Sequence, residues 1–114
     1  MQKVTTKNIG GEVIKEDDRY TVIDNRFGKT LVLSSTFLTA GKSTTGHSHA
    51  GQEEVYIFTS GRGSMLVDTE TYDVKMGDIV LIPDGAFHKV WNTGDEIYDG
   101  DLVFTCVFDG GRNH

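Results

Sequence analysis

Three of the four histidines fall in two short windows, His47-Ser48-His49 and Ala86-Phe87-His88, and two carboxylates, Glu53 and Glu54, follow the first window closely. Imidazole and carboxylate are donors that suit a divalent transition-metal ion. Side chains alternate along an extended strand, so His47 and His49 point to one face, one repeat apart, as two adjacent ligands of a single ion require. The same alternation chooses between the acids. Glu54, Tyr56 and Phe58 share one face while Glu53, Val55 and Ile57 share the other, and the aromatic set after Glu54 marks its face as the inward one. His88 shares its face with Val90 and Asn92. Taken singly, each residue has an ordinary reading: a surface histidine, a turn glutamate, or a core histidine bonded to a backbone carbonyl. Tyr56, one repeat beyond Glu54, is the candidate catalytic side chain; its hydroxyl reaches either a bound substrate or a backbone partner in the core. Gln52 and Thr45 flank the candidate ligands and are weaker candidates, since amides and hydroxyls in loops commonly cap turns.

What changes the weighting is the joint appearance of these residues with glycines at matching distances. The first window reads Gly41-x5-His47-x-His49-x4-Glu54-x6-Gly61 and the second Gly77-x5-Pro83-x-Gly85-x2-His88-x3-Asn92. These patterns, at residues 41–61 and 77–92, resemble the two motifs of the cupin family, and no motif position departs. The resemblance implies an all-β fold, a double-stranded β-helix or jelly-roll barrel, with His47, His49, Glu54 and His88 ligating one divalent metal inside it. Four ligands leave an octahedral ion two open positions, which suggests chemistry more than a structural staple. Imidazole with carboxylate suits Fe, Mn, Ni, Zn or Cu, so the donor set leaves the metal open.

Three functions are compatible with such a site. The first is an enzyme acting on a small polar metabolite by Fe or Mn oxygenase-type chemistry. The second is a metal-dependent sugar or sugar-phosphate isomerase or a related lyase, in which Glu54 or Tyr56 lies near the transferred proton. Here Glu54-Val55-Tyr56-Ile57, Gly61-x-Gly63-Ser64-Met65-Leu66 and Asn92-Thr93-Gly94-Asp95-Glu96 resemble the cupin-type phosphoglucose isomerases. The third is a non-enzymatic module that binds a small molecule through the metal. Basic residues are scarce around the motifs, the nearest being Lys42, Arg62 and Lys89, so an unphosphorylated sugar or hydroxy acid is the easier ligand.

Short β-branched and aromatic runs must position these residues: Thr30 to Leu38, Val55 to Thr59, Ser64 to Val67, Thr71 to Val74, Ile79 to Ile82, Phe87 to Trp91 and Asp101 to Phe108. Many short strands closed by turns predict a sandwich or barrel. No stretch holds apolar residues at helical spacing for three turns, and the residues before Tyr20 are too polar to form a buried face. Pro83-Asp84-Gly85 is a tight turn that the single proline opens. Val55-Tyr56-Ile57-Phe58 is apolar on both faces, so a second sheet or another subunit must cover it, and a homodimer burying Val55, Ile57 and Trp91 is expected.

With 114 residues there is room for one domain, 1–114. Seventeen acidic against eleven basic side chains give a net charge of −6, an unfavourable field for tracking phosphates, so nucleic acid is not an expected partner. Nine carboxylates against Lys75 and Lys89 lie between Asp68 and Asp101, a stretch expected to form solvated loops and edges. The longest apolar runs are four residues, far short of the roughly twenty of a spanning helix, and no membrane partner is expected. Residues 1–7 lack the apolar stretch of a leader, so the expected location is cytoplasmic. Cys106, the one cysteine, is expected to be a buried small hydrophobe. The segment Gly10 to Arg19 and the tail ending at His114, read as a frayed terminus, carry no legible chemistry.

Overall fold

The computed structural model describes residues 2–110; the His114 reading lies outside the described residues. Nine strands follow one another: β1 (Glu12–Glu16), β2 (Tyr20–Asn25), β3 (Leu31–Leu38), β4 (Glu54–Ser60), β5 (Arg62–Val67), β6 (Glu70–Lys75), β7 (Ile79–Ile82), β8 (His88–Trp91) and β9 (Leu102–Asp109). All pair antiparallel, in a six-stranded sheet of order β1-β2-β3-β9-β4-β7 and a three-stranded sheet of order β6-β5-β8. The all-β jelly roll expected from the sequence is the fold observed. No helix among the described residues is long and apolar enough to cross a membrane.

Alternation explains which side of each strand is buried. In β4, Glu54, Tyr56 and Phe58 face the interior while Val55 and Ile57 are half-buried on the outer face. In β9 the inward set is Leu102, Phe104, Cys106 and Phe108, and β3 contributes Val32, Ser34, Thr36 and Leu38 in matching register. Phe58, Leu38, Met65, Leu102 and Val90 are essentially inaccessible and close the space between the two sheets. The apolar end of the interior is therefore packed, whereas Ser34, Thr36 and Cys106 line a cavity at the other end.

Two strands were not anticipated. β1 lies in the stretch before Tyr20 that reads as too polar, is exposed along its whole length and gains its order from backbone pairing with β2 in a hairpin. In β2 the inward set is Tyr20, Val22 and Asp24, which includes a charge where an apolar residue marks most strands. The acidic stretch from Asp68 to Asp101 behaves as expected: Glu70 and Asp73 are exposed on β6, an edge strand.

Gly61 joins β4 to β5 at φ +79°, and a Cβ there would run into the Asp101 carbonyl. Asn92, buried at the end of β8, donates from Nδ2 to the carbonyls of Leu38 and Gly100, both at 2.9 Å, and accepts from Gly94 N–H at 2.9 Å. One side chain thus ties together the end of β3, the end of β8 and the loop entering β9.

Candidate metal centre

The segment carrying His47 and His49 is not a regular strand, contrary to the extended-strand expectation. It approaches β8 through isolated bridges at Ser43–Trp91 and His47–His88, with His47 N–H donating to the His88 carbonyl at 3.1 Å and the reverse bond at 3.0 Å. Between those bridges Thr44 Oγ1 accepts from Val90 N–H at 3.0 Å, and beyond them Gly51 N–H donates to Asp84 Oδ1 at 2.6 Å. The Pro83-Asp84-Gly85 turn, closed by Ala86 N–H on the Pro83 carbonyl at 3.1 Å, therefore anchors the loop as well as reversing the chain. Gly46 lets the Phe87 ring lie against the backbone: a Cβ there would meet the ring and displace it.

Despite the irregular backbone, the two imidazoles share a side, with ring centroids 4.6 Å apart. One ligand atom each from His47, His49 and Glu54 lies within 4.8 Å of the others, a spacing compatible with one ion. The His88 ring stands at 4.4 Å from His47, edge to face, and its Nε2 is 3.1 Å from Glu54 Oε2. His88 Nδ1 lies 3.1 Å from the Ala86 carbonyl, which fixes that nitrogen as an N–H donor and leaves Nε2 facing Glu54. Glu54 Oε2 and His88 Nε2 are buried, and neither has a hydrogen-bond partner among the described residues. Two buried atoms of this kind at that separation need a proton or a metal cation between or beside them, and with His47 and His49 alongside the donor set fits a divalent ion. Burial works to raise the Glu54 carboxyl, but the imidazoles of His88, His47 and His49 outweigh it, and the acid is held below its ordinary value.

Tyr56 lies one repeat inward from Glu54, its ring stacked on Phe104 at 4.9 Å and edge-on to His88 at 5.5 Å. Burial, with lesser contributions from Cys106 and Glu54, pushes its hydroxyl well above the ordinary tyrosine value, so it keeps its proton. Cys106 also lines the cavity; burial, then the charges of Glu54 and Asp24, push its thiol up, consistent with an inert buried thiol. Gln52 turns away from the centre and donates from Nε2 to the Asp109 carbonyl at 3.2 Å, whereas Thr45 lines the cavity and accepts from Arg19 at 3.3 Å.

The cavity lined by His47, His49, Glu54, Tyr56, Thr45 and Cys106 measures about 360 Å³. Sequence reasoning missed the far wall, which comes from the unrecognised hairpin: Lys15 at the rim, its ammonium 4.9 Å over the Tyr20 ring, and Val22 and Asp24 inside. The signal was present as the alternation Tyr20, Val22, Asp24, but an acid in the last inward position breaks the apolar pattern that marks a strand. Of the three basic residues nearest the motifs, Arg62 is held by Asp99 at 3.1 Å and Lys89 lies over Trp91 at 5.2 Å.

Comparison with known proteins gives a consistent picture. A family model described as "Cupin domain" matches residues 36–108. An uncharacterized protein of Methanocaldococcus jannaschii is 38% identical over 63 residues, 55% of this chain and 50% of that protein. The glucose-6-phosphate isomerase of Pyrococcus furiosus is 28% identical over 121 aligned residues, covering 90% of this chain and 62% of the isomerase. The alignments thus span about half to three-fifths of these curated relatives. Among solved structures, a predicted oxalate decarboxylase from Thermotoga maritima superposes with a TM-score of 0.74 at 23% identity, over 95% of this chain and 98% of that one.

Proposed function

The chain belongs to the cupin family, and from that premise we propose that it is a metal-dependent enzyme acting on a small hydroxylated carbonyl compound in the cavity lined by His47, His49, Glu54 and Tyr56, with His88 beside Glu54. The observation that carries this reading is the grouping of Glu54 with His47, His49 and His88, in which the buried Glu54 Oε2 and His88 Nε2 have no hydrogen-bond partner among the described residues. A divalent ion held by His47, His49, Glu54 and His88 supplies Lewis acidity toward a carbonyl oxygen.

The chain's own groups do the rest. His88 is oriented by the Ala86 carbonyl, and the His47–His49 loop is held by β8 and Asp84. Tyr56 presents a protonated hydroxyl from the cavity wall as a hydrogen-bond donor to a substrate oxygen. Phe104 and Phe108 exclude water from one side of the cavity. Similarity to an isomerase over nine-tenths of the chain favours proton transfer beside a carbonyl over oxygen chemistry.

Elemental analysis of protein purified without chelators, followed by incubation with small ketoses and aldoses in D2O, tests the proposal. We expect close to one transition-metal ion per chain and deuterium entering the carbon next to the carbonyl without oxygen uptake. Substrate-dependent oxygen consumption would replace it with the oxygenase reading, and bound metal with neither reaction would point to a binding module.

We further propose a homodimer. Ile79 and Leu81 on the edge strand β7 are 59% and 71% exposed and lie beside the half-buried Val55 and Ile57 of β4, forming an apolar strip at an unpaired sheet edge. A second copy covers that strip.

A further inference from the structure

The inner face of the large sheet carries a row of side chains in register: Asp24 on β2 opposite Ser34 on β3, Ser34 opposite Cys106 on β9, and Cys106 opposite Tyr56 on β4. The row spans three strand spacings, roughly 14 Å along the curved sheet. It begins at the candidate metal centre and ends at a carboxylate with no role in it. The Asp24 side chain is 2% exposed and lines the cavity. Neither Oδ1 nor Oδ2 has a hydrogen-bond partner among the described residues, and the ion pair with Arg26 is long, 3.9 Å, to a guanidinium that is itself largely in solvent. A buried carboxylate with both oxygens unsatisfied is costly for the fold, and such a cost persists where a ligand satisfies the group.

Resting on the metal-centre reading above, we propose that Asp24 selects the ligand, accepting hydrogen bonds from the hydroxyls of a neutral polyhydroxylated carbonyl compound whose carbonyl end lies at His47, His49 and Glu54. An ionised Asp24 offers only acceptors, so the group facing it must be a donor. Ser34 and Thr36 beside it are buried hydroxyls that both donate and accept, which suits a hydroxylated chain better than an ammonium, which accepts nothing. Charge argues the same way. A divalent ion with Glu54 and Asp24 brings the cavity close to neutral, and a dicarboxylate such as oxalate would place further negative charge against Asp24. Lys15 also lines the cavity, but its ammonium stands at the rim, 4.9 Å over the Tyr20 ring, and makes no ion pair with Asp24.

The test compares wild type with Asp24→Asn, both loaded with Mn(II), titrated calorimetrically with D-xylulose and with oxalate. The expected result is that D24N binds D-xylulose at least about tenfold more weakly and oxalate more tightly, with manganese content unchanged. The melting temperature of metal-free D24N should be no lower than that of wild type, because a cost to the fold has been removed. Unchanged affinity for both probes overturns the proposal; so does a lower melting temperature, which would make Asp24 a structural anchor of β2. Manganese content separates this inference from the reading beneath it. A wild type that takes up no manganese overturns the metal centre, and the same titrations on metal-free protein, followed by NMR shifts, still decide Asp24.

Discussion

His88 Nε2 faces Glu54 Oε2 at 3.1 Å, with the opposite nitrogen of the ring held by the Ala86 carbonyl. The pair is compatible with an ion and uncomfortable without one, which makes metal removal the most direct perturbation. Glu54→Ala and His49→Ala should each lower metal affinity by about 100-fold or more while the protein still folds. Metal content by elemental analysis and circular dichroism check both halves. For wild type, chelation should lower the melting temperature, since an ion at about 1,000 times its Kd contributes roughly 4 kcal/mol.

Tyr56→Phe isolates the hydroxyl. The ring keeps its stacking on Phe104, so the cost to stability should stay near 1 kcal/mol, whereas turnover should fall about 100-fold with metal content unchanged. Steady-state kinetics on the metal-loaded variant decide it. A fall in stability with full turnover would make the tyrosine a core residue only.

Gly46 and Phe87 are coupled through space, and each neighbours a candidate ligand in sequence. Gly46→Ala pushes against the Phe87 ring and should cost about 1–3 kcal/mol and weaken metal binding. Adding Phe87→Ala should recover much of the loss, so thermal melts of the double-mutant cycle give a measurable coupling.

Acid sensitivity of the first hairpin follows from Asp17. The backbone N–H of Arg19 at 2.8 Å, the Arg19 guanidinium at 3.0 Å and the backbone N–H of Tyr20 at 3.1 Å all favour its charged form and lower it from 3.8 to about 2. A carboxyl depressed in the folded state contributes stability that is complete above its unfolded value and is lost as pH falls through the folded one. The β1–β2 turn should therefore loosen between about pH 4 and pH 2, and NMR titration of Asp17 should give a midpoint near the lower limit. Arg19→Ala should move that midpoint up toward 3.8.

Leu81→Arg places a charge in the centre of the exposed strip on β7. Sedimentation should show a dimer for wild type and a monomer for the variant, with metal content unaffected. A wild type that sediments as a compact monomer removes the dimer.

The sequence was most legible where burial alternates strictly. Glu54 could be distinguished from Glu53 because Tyr56 and Phe58 follow it at the strand period, and the structure buries Glu54 while exposing Glu53. It was least legible where order comes from partners. The run Glu12–Glu16 has Val13 on one face and Ile14 on the other, each among charged neighbours and exposed, so no apolar alternation marks it and only pairing with β2 makes it a strand. Asp24 was hidden for a related reason, since a charge facing inward contradicts the apolar pattern by which strands are recognised. The grouping of His47 with His49 was visible although its backbone was misread, because backbone bridges to β8 put two residues of the loop on the same side without strand geometry.

The position of β9 bears on how the chain reaches this state. It lies between β3 and β4 in the large sheet, so residues 31–60 present two strands with open edges until residues 102–109 arrive. On a ribosome that interval spans several seconds at about 5–20 residues per second, during which the Val55–Phe58 segment has no partner on the side β9 will occupy. Closure of the sheet is then a late, long-range event, and substitutions in β9 should slow folding and raise aggregation during synthesis more than their effect on final stability suggests.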